Sequence, residues 1–153
     1  MVPIFQAERR VDVPHDVAFA VAADVASYMK FLPLVERSVV RGRKAQTDHV
    51  ESFVAELAIA YPKLRLSESF VSQVTVDKAA GVVRAKSADP PFRTLAARWT
   101  ISPTPGGSNV AFVIDYSFRN PLLQLVASGL MNIAFQKIMT AFEARAMTIA
   151  KQV

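Results

Sequence analysis

Apolar positions along this chain change period twice, and the changes predict its elements. Ile4–Val13 alternates apolar and polar residues in its second half and reads as a strand. Behind Pro14, which suits a first helical turn, Val17, Val21 and Val25 recur at helical spacing with Phe19 and Ala20 alongside and Asp16 near the positive end of the dipole. Pro14–Val25 is therefore expected to be an amphipathic helix. A second short helix or turn follows at Ser27–Phe31, and Pro33 stops it. From Val35 onward, runs rich in Val, Phe, Ile, Ser and Thr are separated by turn signals. The runs are Val35–Arg43, His49–Ile59, Leu64–Val76, Val82–Ser87, Leu95–Pro103 and Asn109–Phe118. Between them stand Tyr61-Pro62, Ala80-Gly81, Asp89-Pro90-Pro91 and Pro105-Gly106-Gly107. Pro121 opens a last helix that reaches the C-terminus.

Strands and helices are segregated rather than alternating, so the class is α+β and not a doubly wound sheet. A six- or seven-stranded antiparallel sheet curls because its strands twist. Its concave face needs a cover, and Pro121–Val153 is the one element long enough. With no internal repeat and no linker, residues 1–153 are expected to form one domain.

Strand parity shows which faces are inside. Val110, Phe112, Ile114, Tyr116 and Phe118 fall on one face, with Asp115 and Ser117 on the other. Leu95, Ala97, Trp99 and Ile101 behave alike, as do Phe53, Ala55, Leu57, Ile59 and Tyr61, and Leu64, Leu66, Phe70, Val74 and Val76. Glu68 is the exception, a carboxylate on the apolar parity between Leu66 and Phe70. The last helix is ordinary from Glu143 onward, but between Pro121 and Phe135 its polar side chains are Gln124, Ser128 and Asn132, a thin stripe spaced four apart. A helix on one sheet needs an apolar face only somewhat over 100° wide. This one has two apolar sides. Either the second packs on Leu32, Pro33 and the short helices, or the helix is a lid whose end touches a bilayer or a partner.

Composition sharpens that question. Of 153 residues 52% are apolar and 20% charged, and the mean hydropathy is +0.24, so the surplus must fill a large core, line a cavity or face lipid. The net charge of +5 favours anionic partners. The absence of cysteine excludes disulfides, a thiolate nucleophile and Cys-ligated zinc. MVPIFQAERR is not a secretory leader. No window reaches the roughly 18–20 uninterrupted apolar residues of a spanning helix; the nearest, Val17–Val25 and Pro121–Phe135, are broken by polar residues. The expectation is a bacterial cytoplasmic protein, soluble or peripheral on the inner face of the membrane.

Tyr28–Val40, YMKFLPLVERSVV, resembles the coenzyme Q-binding COQ10/RatA branch of the START-like (polyketide cyclase/START) superfamily, matching it at Tyr28, Phe31, Leu32, Pro33, Ser38 and Val40. Further pieces resemble it in the same order: Glu68–Val74; Pro91-Phe92, Leu95, Trp99, Ile101 and Pro103; Val110–Phe118 with Asn120-Pro121-Leu122; and Met139 with Ala141-Phe142-Glu143 and Arg145-Ala146. Leu34-Val35 departs from the pattern, where an aromatic and a cysteine are usual, and Asp89-Pro90-Pro91 stands where Gly-Pro is commoner. The resemblance implies a helix-grip fold, a curved sheet wrapped round a long C-terminal helix with a hydrophobic tunnel between them. It also implies ubiquinone as bound ligand, carried or presented for respiration or quinone biosynthesis, with no catalytic cofactor. Some relatives on this branch are instead ribosome-associated toxins that block subunit joining.

A polyprenyl tail offers only apolar surface, so its site should be a long apolar tunnel with a few polar groups at one end. Phe53, Leu57, Leu66, Phe70, Trp99, Ile114 and Tyr116 from the sheet, and Leu130, Ile133, Ala134 and Ile138 from the helix, are the candidate lining, unless they are simply core. Leu32, Pro33, Phe92 and Trp99 join them from within the matched segments. Glu68 and Tyr116 are candidates for the polar end, although Glu68 would serve equally in an ion pair or at a bulge. Lys63 and Arg65 flank the tip Tyr61-Pro62-Leu64, a pattern suited to an anionic bilayer and equally to a solvated loop. His15 and His49 are isolated, and no HExxH, G-x-S-x-G, P-loop or G-x-G-x-x-G occurs. A cyclase-like enzyme would have to use Glu68 and Tyr116. The reading is a non-catalytic, metal-free lipid binder, with ribosome binding and catalysis as alternatives and DNA excluded as a partner.

Overall fold

The structure, a computed structural model, describes residues 4–152, the side chain of Ser128 excepted. In chain order it runs β1 (Ile4–Val11), α1 (His15–Ala23), a 3-10 turn (Val25–Lys30), β2 (Val35–Ala45), β3 (Val50–Tyr61), a second 3-10 turn (Pro62–Leu64), β4 (Leu66–Asp77), β5 (Val82–Ser87), β6 (Phe92–Thr104), β7 (Gly107–Phe118) and α2 (Pro121–Lys151). The strands make one antiparallel sheet in the order β1-β7-β6-β5-β4-β3-β2. This is the expected α+β helix-grip, START-like architecture, with seven strands.

The expected boundaries shift where local chemistry intervenes. Pro14 stands before α1 as its cap rather than inside it, accepting bonds from the Val17 and Ala18 amides. The chain then tightens into the 3-10 turn from Val25. Strand β4 begins at Leu66 rather than Leu64, because Pro62–Leu64 is a 3-10 turn closed by Arg65 in the left-handed region at φ 52°. Between β4 and β5, Gly81 has φ +70°, and a Cβ there would lie 2.3 Å from the Ile101 carbonyl oxygen of β6. Only glycine fits that approach.

The concave face carries the core, and inward and outward residues alternate as strand parity requires. In β7, Ser108, Val110, Phe112, Ile114, Tyr116 and Phe118 are buried at every second position. Aromatic rings dominate: Trp99 packs 4.3 Å from Phe112 and stacks at 4.5 Å on Phe142 of α2, while Phe5 meets Phe135 at 5.2 Å. Buried ring pairs of this kind add roughly 0.5–1.5 kcal/mol beyond their area.

Helix α2 starts where Asn120 Oδ1 accepts from the Leu122 and Leu123 amides, with Pro121 in the first turn. Gln124 Oε1 accepts from the Phe118 amide at 2.6 Å and ties the helix start to β7. Between Pro121–Ala127 and Gly129–Lys151 the helix bends by 59°. The Ser128-Gly129 pair is the kind of sequence at which helices kink. Arg9 of β1 holds the far half, reaching Glu143 at 3.3 Å and Thr140 at 3.2 Å. No single helix among the described residues is long and apolar enough to cross a membrane.

Candidate functional site

Beneath α2 the sheet floor is built from short side chains. The register Val74↔Ala85, Ala85↔Ala97 and Ala97↔Ile114 sets two alanines side by side on neighbouring strands, with Ser72 one inward position along β4. Flanking inward positions carry Phe70, Leu95, Trp99 and Phe112, so the small residues leave a hollow of about 140 Å³. Val25, Tyr28 and Leu32 wall it from the first 3-10 turn and its exit, Val35 and Leu57 from β2 and β3, and Ile138 roofs it from α2.

The Tyr-x-x-Phe-Leu-Pro…Ser run of the sequence frames one wall. Ser38, buried on β2, donates to the Ala26 carbonyl at 2.8 Å and accepts from the Met29 amide at 3.1 Å, pinning the 3-10 turn to the sheet. The Tyr28 hydroxyl donates to the Ala22 carbonyl and receives the Trp99 side chain. Burial pushes the Tyr28 phenol well above its ordinary pKa; the Trp99 hydrogen bond opposes the shift and nearby Asp24 adds to it. Two hydroxyls thus border the hollow, those of Tyr28 and Ser72. Tyr28 uses its proton internally, whereas Ser72 makes only a long 3.4 Å bond to the Ala55 carbonyl. The Ser72 hydroxyl is the group that can turn towards a ligand oxygen at little cost.

Of the sequence candidates, Leu32, Leu57, Phe70, Trp99, Ile114 and Ile138 meet around this hollow. The others stand elsewhere. Phe53 is buried beneath the Arg43 guanidinium, 4.7 Å from its ring centre, and Leu66 is buried next to the β3–β4 turn. Pro33 is half-buried beside Leu32. Phe92 stacks on Phe118 at 5.2 Å, and Tyr116 meets Phe118 and Phe135 at 5.6 Å each. These rings fill the concave face beyond the hollow, so the expected long tunnel is a short chamber instead. Burial raises the Tyr116 pKa as well. Ala134 is core, Leu130 is half-buried, and Ile133 is 51% exposed on the outer side of α2.

Glu68 is not at a polar cavity end. It lies near the start of β4 opposite Ile59, exposed, and in no ion pair among the described residues. The two groups a cyclase-like enzyme would need are thus both outside the chamber, one in solvent and one among aromatic rings. The expected membrane tip also changes. Tyr61 is buried and its hydroxyl donates to the Leu130 carbonyl at 3.0 Å, and Leu64 packs against the core; Lys63 and Arg65 remain exposed.

Sequence reasoning missed Val25, Tyr28, Val35, Ser72, Val74, Val83, Ala85, Leu95, Ala97 and Phe112 as lining. One signal was available: Ser72, Ala85 and Ala97 are small residues at inward parity among large neighbours. Among the described residues no group of three or more His, Asp or Glu is placed to hold a metal ion.

The sequence matches, over residues 11–143, the family described as polyketide cyclase/dehydrase and lipid transport. It is 30% identical over 126 residues to a mitochondrial coenzyme Q-binding protein COQ10 of Drosophila melanogaster, covering 82% of this chain and 49% of that protein, so the chain spans about half that relative's length. It is 25% identical over 136 residues to the ribosome association toxin RatA of Rickettsia prowazekii, covering 87% of this chain and 88% of that one. Among solved structures, a START superfamily protein from Mycobacterium smegmatis superposes with a TM-score of 0.80 at 14% identity, over 96% of this chain and 99% of that chain.

Proposed function

This chain belongs to the polyketide cyclase/dehydrase and lipid transport family, and from that premise we propose that it binds a polyprenyl quinone, ubiquinone in kind, and carries or presents it at a membrane surface. The observation that carries the reading is the chamber's chemistry. Its lining is aliphatic and aromatic apart from two hydroxyls, with no carboxylate, imidazole or cation. Such a wall favours a ligand recognised by apolar area, at about 25 cal/mol per Å² buried, plus a hydrogen bond from Ser72 to a carbonyl oxygen. The Drosophila relative's name, coenzyme Q-binding, agrees with that chemistry.

The resting volume adds a mechanical requirement. Small-molecule sites typically measure about 300–1,000 Å³, and the chamber measures about 140 Å³. A quinone ring with its tail enters only if the roof moves. The roof is Ile138, in the half of α2 after the bend, so that half must lift from the sheet and strain the Arg9–Glu143 pair that seats it. The protein acts by binding, and turnover is no part of this function.

Organic extraction and native mass spectrometry of protein purified from a quinone-producing host test the proposal. Near-stoichiometric polyprenyl quinone supports it. A protein that arrives empty and also ignores added quinone refutes it. Trp99, the chain's single tryptophan, lines the chamber, so quenching of its fluorescence reports titrated quinone directly.

A second reading has one specific observation behind it. On the convex face Arg84 and Arg98 lie directly opposite each other across β5 and β6, with Lys86 beside them, and none has an acidic partner within salt-bridge distance among the described residues. Facing like charges destabilise a sheet, and a polyanion would relieve them. The Rickettsia relative's name gives the class of polyanion to try, a ribosomal particle. Salt-sensitive co-sedimentation with ribosomal subunits, lost on replacing the three cations, would favour this reading.

A further inference from the structure

The apolar surplus of α2 does not all face inward. Leu123, Ala127, Leu130 and Met131 pack towards the core, but Leu122 is 74% exposed, Leu125 76% and Val126 57%. These three fall on one side of the segment before the bend, and Gly129 beside them faces open space. Contiguous exposed apolar surface of this kind marks an interaction site. The Asn120 cap and the Gln124–Phe118 bond hold the segment in that orientation, so the exposure is built in.

We propose that the first turns of α2 dock on an anionic lipid bilayer, with Leu122, Leu125 and Val126 entering the interface and Lys63 and Arg65 meeting the headgroups. Charge selects this occupant. Residues 119–142 and 61–65 contain Arg119, Lys137, Lys63 and Arg65 and no Asp or Glu; the nearest acids in sequence are Glu68 and Glu143. The β3–β4 turn carrying Lys63 and Arg65 packs against α2, and the Tyr61–Leu130 hydrogen bond fixes the two together. Lys63 and Arg65 have no acidic partner among the described residues. A second copy of the chain is a poor occupant, because a two-fold contact through this patch would bring the same cations face to face. The docked edge would be the outer side of the helix that roofs the chamber. The proposal deepens the lipid-carrier reading, yet quinone-free vesicles test it separately.

The experiment is flotation of the full chain with quinone-free vesicles of phosphatidylcholine, with and without about one-third phosphatidylglycerol as the anionic lipid. The wild-type chain is expected to float with the anionic vesicles. Leu122→Asp/Leu125→Asp should weaken binding at least roughly tenfold, with circular dichroism and Tm unchanged because both side chains are solvent-exposed. Lys63→Gln/Arg65→Gln should weaken it roughly 30-fold on anionic vesicles only, at about 1 kcal/mol per cation. Failure of the wild-type chain to bind vesicles overturns the proposal, as does unchanged binding by the leucine variant. A dimer that dissociates in the leucine variant, without vesicle binding, overturns it in favour of self-association. Quinone binding in detergent, read by Trp99 quenching, persists or fails independently of these outcomes.

Discussion

Replacing Ala97 by leucine tests the chamber through the sign of a stability change. Ala97 lies on β6 between Ala85 and Ile114, its side chain directed into the hollow. At about 24 cal/mol per Å³, an unfilled hollow of about 140 Å³ costs the resting fold about 3 kcal/mol. Leucine adds three carbons, worth about 0.8 kcal/mol each when buried without strain. With imperfect fit, a gain of about 1–2 kcal/mol is expected, which raises Tm by roughly 2–8 °C for a chain of this size. The same side chain occupies the ligand's volume, so quinone affinity should fall at least tenfold, or about 1.4 kcal/mol. Thermal unfolding and quenching of Trp99 measure the two effects on one sample. Were the space beneath α2 fully packed, Ala97→Leu would overfill it and cost about 1–3 kcal/mol instead. A lowered Tm refutes the hollow, and a raised Tm with unchanged quenching places the ligand elsewhere.

Other expectations follow from single contacts. Ser72→Ala should lower quinone affinity roughly five- to tenfold, the worth of one hydrogen bond of about 1–1.4 kcal/mol, and leave urea unfolding almost unchanged because its native bond is long at 3.4 Å; equal affinities would remove Ser72 from ligand recognition. Gly81→Ala should destabilise by more than about 1–2 kcal/mol in urea titration, since left-handed backbone alone costs that much with a Cβ and the new atom would stand 2.3 Å from the Ile101 oxygen. The Tyr28 phenol ionises in the unfolded chain near its ordinary value of 10.0 but only at higher pH in the folded protein. Its contribution is therefore complete below pH 10 and is lost as pH rises further. Tyr28→Phe should flatten the fall in stability above pH 10, and an unchanged slope would count against a buried, intact phenol.

Period and punctuation in the chain determined the architecture. The alternation at Val110–Phe118 put Phe112, Ile114 and Tyr116 on the core side because a strand has no other way to present them. Pro121 after Asn120 marked the start of α2, since a capping side chain and a missing amide suit those two positions. The apolar excess of residues 121–135 likewise announced two apolar sides. Distances across the sheet were decided elsewhere. Whether an inward residue lines a hollow or plugs it depends on its cross-strand neighbours, and register is a property of the assembled sheet. Thus Ala85 and Ala97 open a chamber by lying side by side, while Tyr116 and Phe118, of the same parity as Ile114, close the tunnel together with Phe92, which a register shift at the start of β6 turns inward. Glu68 has inward parity but sits near a strand end, where parity no longer implies burial. Tyr61 at a loop tip is buried because α2 supplies the Leu130 carbonyl, a partner 69 positions along the chain. Local pattern is set by backbone geometry within a few residues, so the sequence alone determined the elements and their inner faces. Voids, burial at the rim and the side of α2 left to solvent depend on partners distant in the chain, and only the tertiary structure decided them.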